Sequence, residues 1–194
     1  MNTTTTLFRN DDVSSDTDVN ELAKFCELFD RRGLQLMHAV TVYGPLIPIH
    51  NTWTNDDIYN KCRDSILCNQ PVIDFMKNRK NDMIATHGMW HYHHNEGNQF
   101  YLLNESRVVL QSLFDRPISL FVPPFNEASS SIRSECLDHG VDVWASEGGH
   151  LELELDNISP QHTNRWRCHS WRFTSVYQNG YQRLDQLLGR ICGR

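Results

Sequence analysis

Short apolar runs of strand length recur along this chain, separated by stretches of helical period, and polar residues suited to catalysis fall just after the runs. That order restricts the fold more than any other feature, because strands alternating with helices pack as a parallel sheet covered by helices. Thr3 to Phe8 is β-branched and then apolar, and Asn10-Asp11-Asp12 follows at once, which predicts a strand delivering carboxylates to its carboxyl end. Leu22, Phe25, Leu28 and Phe29 then recur at helical spacing, with Asp16 or Asp18 as cap and Arg31-Arg32-Gly33 as a cationic stop. Leu34 to Val42 is a second strand, interrupted by His38, and a histidine in such a run is more often a satisfied core residue than a ligand.

The pattern repeats. Asp56-Asp57 suits a helix N-terminus, and Ile58 to Met76 supplies apolar positions for one or two helices broken at Pro71. Met83 to Thr86 is a short strand ending at His87, Glu105 to Phe114 a helix, and Ile118 to Val122 a strand ending at Pro123-Pro124-Phe125-Asn126. Ile132 to His139 is a helix stopped by Gly140, Val141 to Ala145 and Leu151 to Leu155 are strands, and Tyr181 to Ile191 is a closing helix. With no repeat and no low-complexity linker, residues 1–194 read as a single domain. Loops at the carboxyl ends of parallel strands share one face, so the polar residues at 11–12, 87–91, 123–126 and 166–173 can converge.

Charge and thiols limit the partners. Lys plus Arg is 18 against 24 Asp plus Glu, a net charge of −6 that is poorly suited to a phosphate backbone, so nucleic acid is not expected. No segment reaches the ~18 apolar residues of a membrane span. Met1 to Thr6 has no basic stretch leading into an apolar run, and the six cysteines form no CxxC pair, which together favour a reduced, cytoplasmic protein. Nothing in the sequence speaks to oligomeric state.

His87-Gly88-Met89-Trp90-His91 places two imidazoles at i and i+4, which on a helical turn share one face and can chelate one divalent ion. No Glu follows the first His, so any carboxylate comes from elsewhere. Asp11-Asp12 offers two that point in different directions, one able to ligate while the other faces water. Two His and one Asp would leave a coordination position open. His93 and His94 read first as neighbours or exposed residues, and Trp90, Trp166 and Trp171 as packing, with Trp90 and Trp171 also placed to stack on a sugar ring.

These segments resemble the polysaccharide deacetylases of the NodB homology type, carbohydrate esterase family 4. Arg9-Asn10-Asp11-Asp12-Val13 is similar to that family's first motif, His87 to His91 to its metal-binding pair, and Val122-Pro123-Pro124-Phe125-Asn126 to its third. Asp142-Val143-Trp144 stands where the fourth falls, and Cys168-His169-Ser170 where the late histidine does, so the resemblance runs over roughly residues 7 to 172. It implies a distorted (β/α) barrel and metal-dependent removal of an N-acetyl group from an amino sugar, in surface polysaccharide or lipopolysaccharide synthesis. The partner would be an N-acetylated saccharide or sugar precursor. Asp12, His87 and His91 would hold the metal, most often Zn2+, with Co2+, Ni2+ or Mn2+ as alternatives. Asp11 would be the general base and His169 the general acid, with His150 or His162 as competitors, while Arg9, Trp90, Pro124, Phe125, Asn126 and Trp171 would line the substrate site.

The chain departs from the family at three points. Val122 replaces the third motif's Arg, with Arg9 near enough in sequence to substitute. Asn126 replaces its Gly, a residue that still tolerates left-handed backbone. His169 does not follow an aliphatic strand. Two alternatives follow: a degenerate homologue that binds metal and sugar without turnover, or a hydrolase of a non-sugar amide.

Overall fold

A computed structural model describes residues 7–44, 54–61, 64–94, 100–144, 151–152, 165–170 and 178–192. Trp171, His150 and His162 lie outside the described residues. The architecture is α/β: seven strands form one parallel sheet, and helices pack against it. In chain order the sheet strands are β1 (Leu7–Val13), β2 (Leu36–Val40), β5 (Met83–Thr86), β6 (Leu120–Phe121), β7 (Asp142–Val143), β8 (Leu151–Glu152) and β9 (Arg165–Cys168). They lie in the order β7-β6-β5-β2-β1-β9-β8, every pairing parallel, and among the described residues no pairing closes β7 onto β8. A separate antiparallel pair joins β3 (Tyr43–Gly44) to β4 (Asp64–Ser65).

The helices are α1 (Val19–Asp30), α2 (Asn55–Lys61), α3 (Gln70–Asn78), α4 (Phe100–Phe114), α5 (Ser130–Asp138) and α6 (Gly180–Ile191). Asp18 caps α1 by accepting from the Asn20 and Glu21 amides, and Ser129 caps α5 through Ile132 N–H. Pro71 opens α3 rather than breaking a helix, because the first turn needs no proline N–H. The main core lies between sheet and helices, where Phe8 meets Phe29 edge-on at 5.2 Å and Phe25 adjoins Phe29 at 4.9 Å. Leu22, Phe25, Phe29, Trp166 and Leu184 are all buried there, and each such side chain contributes about 1.5–3 kcal/mol by leaving water.

β1 runs past Phe8 through Asp11 and Asp12, so the two carboxylates stand within the strand rather than after it. The pairing with β2 slips between Asn10 and Val13, a bulge in which Asp12 takes a left-handed backbone, φ 66°. A bulge re-aims the side chains around it, and short polar Asp is among the few residues that tolerate this conformation.

Candidate active site

At the carboxyl end of the sheet the bulge sends the adjacent carboxylates to different partners. Asp12 Oδ1 lies 3.2 Å from His87 Nε2 and 3.4 Å from His91 Nε2, while Oδ2 lies 3.4 Å from His169 Nε2. Burial opposes its charge, but His169, His87 and His91 hold the Asp12 carboxyl well below the usual carboxylate range. Asp11 turns instead to Arg9, whose Nε and Nη2 each donate to one carboxylate oxygen at 2.7 Å. Burial again works upward, and Arg9 with His87 and His169 outweighs it, keeping the Asp11 carboxyl below its ordinary value.

The sequence suggested a helical turn for the histidine pair, but His87 to His93 form a loop. Gly88 explains the difference: its φ is +94°, and a Cβ there would lie 2.7 Å from Trp90 O, so the chain turns where a helix could not. The imidazoles still meet, with ring centroids 4.9 Å apart. His87 Nδ1 is 2.6 Å from Val122 O, a carbonyl that only accepts, so Nδ1 carries a proton, and in the neutral ring Nε2 turns its lone pair toward Asp12.

That tautomer tests whether a cation fits. With His87 neutral, two acceptors, His87 Nε2 and Asp12 Oδ1, face each other at 3.2 Å, and Asp12 Oδ1 is buried without a hydrogen bond. Such an arrangement is repulsive unless a positive charge lies between the groups. Asp12, His87 and His91 bring their ligand atoms within 4.8 Å of one another, and the carbonyl behind His87 orients the ring as the outer partners of metal-bound histidines do. Two nitrogens and one carboxylate oxygen suit zinc or cobalt and leave a position open.

The third segment supports the site from the side. Phe125 and Asn126 both have left-handed backbones, φ 55° and 60°, so Asn126 takes the backbone region that Gly permits and Asn tolerates. Its side-chain oxygen accepts from Arg9 Nη2 at 2.7 Å, and Arg9 Nη1 donates to Trp144 O at 3.0 Å. Arg9 is 1% exposed, so it stands behind Asp11 and not on a surface that a sugar would touch. Asn126 likewise spends its amide oxygen on Arg9, and Pro124 is buried.

Trp90 packs with Tyr43 at 5.0 Å, Tyr92 at 5.4 Å and Tyr59 at 5.2 Å, so its ring contacts are made within the protein. His93 stacks on Phe125 at 3.9 Å and lies 3.7 Å from Glu127 Oε2, and His94 sits edge-on to Phe121. Among the described residues neither joins the donor group around Asp12. The Val122 carbonyl that orients His87 carries no sequence signature. The Arg9–Asp11 pair has one, since residues two apart on a strand share a face.

No family model matches this sequence, and no curated protein matches it either. Solved structures do match. A CE4 family pseudoenzyme from Bacillus anthracis superposes with TM-score 0.64 and 8% identity over 98% of this chain, which spans 62% of the pseudoenzyme's length. The peptidoglycan deacetylase PdaC from Bacillus subtilis gives 0.62 and 11% over 97% of this chain and 84% of that one. A family 4 acetyl xylan esterase from Clostridium thermocellum, in complex with a cobalt ion, gives 0.54 and 15% over 97% and 84%. The chain has the fold of carbohydrate esterase family 4, the NodB-type deacetylases.

Proposed function

We propose that this chain is a metal-dependent carbohydrate deacetylase that hydrolyses the N-acetyl group of an amino sugar, acting in the cytoplasm on a precursor or polymer of surface polysaccharide or lipopolysaccharide synthesis. The observation that carries the reading is the division of labour between Asp12, which faces three histidines, and Asp11, which Arg9 holds apart. Asp12, His87 and His91 would hold the divalent ion, zinc foremost and cobalt, nickel or manganese as alternatives. When bound, the ion acidifies water and polarises the acetamide carbonyl.

Asp11, ionised and fixed by two hydrogen bonds, accepts the proton of the attacking water. The water oxygen adds to the acetamide carbon, and the C–N bond then breaks to give acetate and a free amine. His169, on the far oxygen of Asp12 from the metal pair, supplies the proton that the departing nitrogen needs. The left-handed turn at Phe125 and Asn126 borders this space, and Phe125 contacts His91 edge-on at 4.5 Å.

A second reading, a homologue that binds metal and sugar without turnover, draws on Val122 and on the pseudoenzyme among the similar structures. The buried Arg9–Asp11 pair favours catalysis, because it restores a cation beside the base. Acetate release from N-acetylated saccharides and nucleotide sugars, measured with zinc or cobalt supplied, separates the two. Release from one class supports the deacetylase. Full metal occupancy with no release from any member supports the non-catalytic reading.

A further inference from the structure

A buried polar chain runs through the layer between sheet and helices and ends beside His169. Its polarity follows from one backbone group. The Ser170 N–H donates to Asn10 Oδ1 at 2.7 Å, so the Asn10 amide nitrogen must face His38, where Nδ1 accepts at 3.3 Å. His38 Nε2 therefore carries the proton and donates to Asp82 Oδ2 at 3.1 Å. Asp82 also accepts from Arg79 Nε and, at 3.3 Å, from the Leu36 amide, and Arg79 grips Asp30 at 2.7 and 2.8 Å at the surface. Asn10 and His38 are fully buried.

Cys26, His38 and Asp82 place possible ligand atoms within 4.8 Å of one another, yet this is not a second metal centre. Both His38 nitrogens are engaged, and the Arg79 guanidinium already occupies the Asp82 oxygen that an ion would need. Burial raises the Cys26 thiol to about 12, so it stays protonated. The cluster's effect lies at its other end.

β9 ends at Cys168, paired with Asn10, and His169 is the next residue. Ser170 N–H is the backbone donor just beyond it, and it is held by a side chain of the strand that carries Asp11 and Asp12. We propose that Asn10, oriented by His38, is a positioning residue for His169: it fixes the backbone after the imidazole and so sets the ring's place against Asp12. This rests on the assignment of His169 as the acid that protonates the leaving amine. A simple strand-end cap would stabilise the fold without favouring any step of catalysis, and the two differ in what they do to leaving-group dependence.

The test uses the full zinc-loaded chain and two substrates. An N-acetylated amino sugar needs its leaving amine protonated, whereas 4-nitrophenyl acetate loses a phenolate that needs no proton. Asn10→Leu is expected to lower kcat on the amide by about 10²-fold, the scale of a misplaced catalytic group, with zinc content and aryl acetate hydrolysis nearly unchanged. The Asn10→Leu/His169→Ala double variant should be no slower on the amide than His169→Ala, since residues acting through one another are not additive. Asn10→Ala, which adds no bulk, is run alongside in case leucine prevents folding. Equal losses on both substrates, or additive losses in the double variant, overturn the proposal. A wild type that releases acetate from neither substrate overturns the deacetylase reading instead. The metal-free crystal structure of the Asn10 variant then still decides the positioning role: His169 Nε2 is expected to leave its place 3.4 Å from Asp12 Oδ2, and a ring that stays refutes it.

Discussion

Arg9 and Asp11, two residues apart on one strand, form a bidentate pair in the protein interior, with both hydrogen bonds at 2.7 Å. Removing one member of a buried ion pair leaves the other charge uncompensated, a loss of about 3–5 kcal/mol. Arg9→Leu should therefore lower unfolding free energy by that amount in urea titrations. Arg9→Lys should recover part of the stability but little activity, because an ammonium cannot reproduce the fork. An Arg9→Leu protein as stable and active as wild type would remove the pair from the site.

The adjacent carboxylates should part company on mutation. Asp12→Asn is expected to weaken metal binding and acetate release together. Asp11→Asn should leave the metal in place while turnover falls by roughly 10²–10⁴-fold, the scale of general base catalysis. Metal analysis and acetate release on each purified variant check both, and a reversed pattern would exchange the roles.

His87→Ala or His91→Ala should each empty the metal site, since two remaining ligands seldom hold zinc in water. The ion should also leave on acidification, as protonated imidazole cannot ligate. Metal content across a pH series reads this, and retention well below about pH 4 would mean that histidines are not the ligands.

His94 predicts a pH dependence of the metal-free fold. It is 1% exposed, both ring nitrogens lack hydrogen bonds, and burial, with His87, His91 and His93 nearby, lowers it from 6.5 to about 3. Between those values the unfolded chain binds the proton and the folded chain does not, so stability rises with pH across this window and falls on acidification. The slope from this residue is about 1.4 kcal/mol per pH unit. Urea unfolding of metal-free wild type and His94→Phe between pH 6 and 4 should show the shallower dependence in the variant.

Elements set by local pattern were readable from the sequence. Met83–Thr86 is the strand that its apolar run predicts, and Gly180–Ile191 begins within one residue of the predicted helix. The histidine loop was not, because i, i+4 spacing cannot report that Gly88 takes φ +94°. Nor was the bulge that keeps Asp11 and Asp12 inside β1, which depends on pairing with β2. Asp12, His87, His91 and His169 were singled out from residue type and order, and the structure brings their side chains together. What Arg9 and Asn126 do for one another was hidden, since 117 residues separate them and neither type alone implies the contact.

The placement of Arg9 also changes what the molecule can vary. A cation carried on the loop after β6 would tie Asp11 to that loop's length and sequence. Here the charge pair travels on one seven-residue strand and is copied as a unit. The segment around Pro123 to Asn126 carries no charge of its own and meets that pair through the Asn126 amide oxygen on Arg9, so it braces the guanidinium without supplying it. The charge beside Asp11 and the turn that braces it are thus encoded in different parts of the chain, the first on β1 and the second after β6.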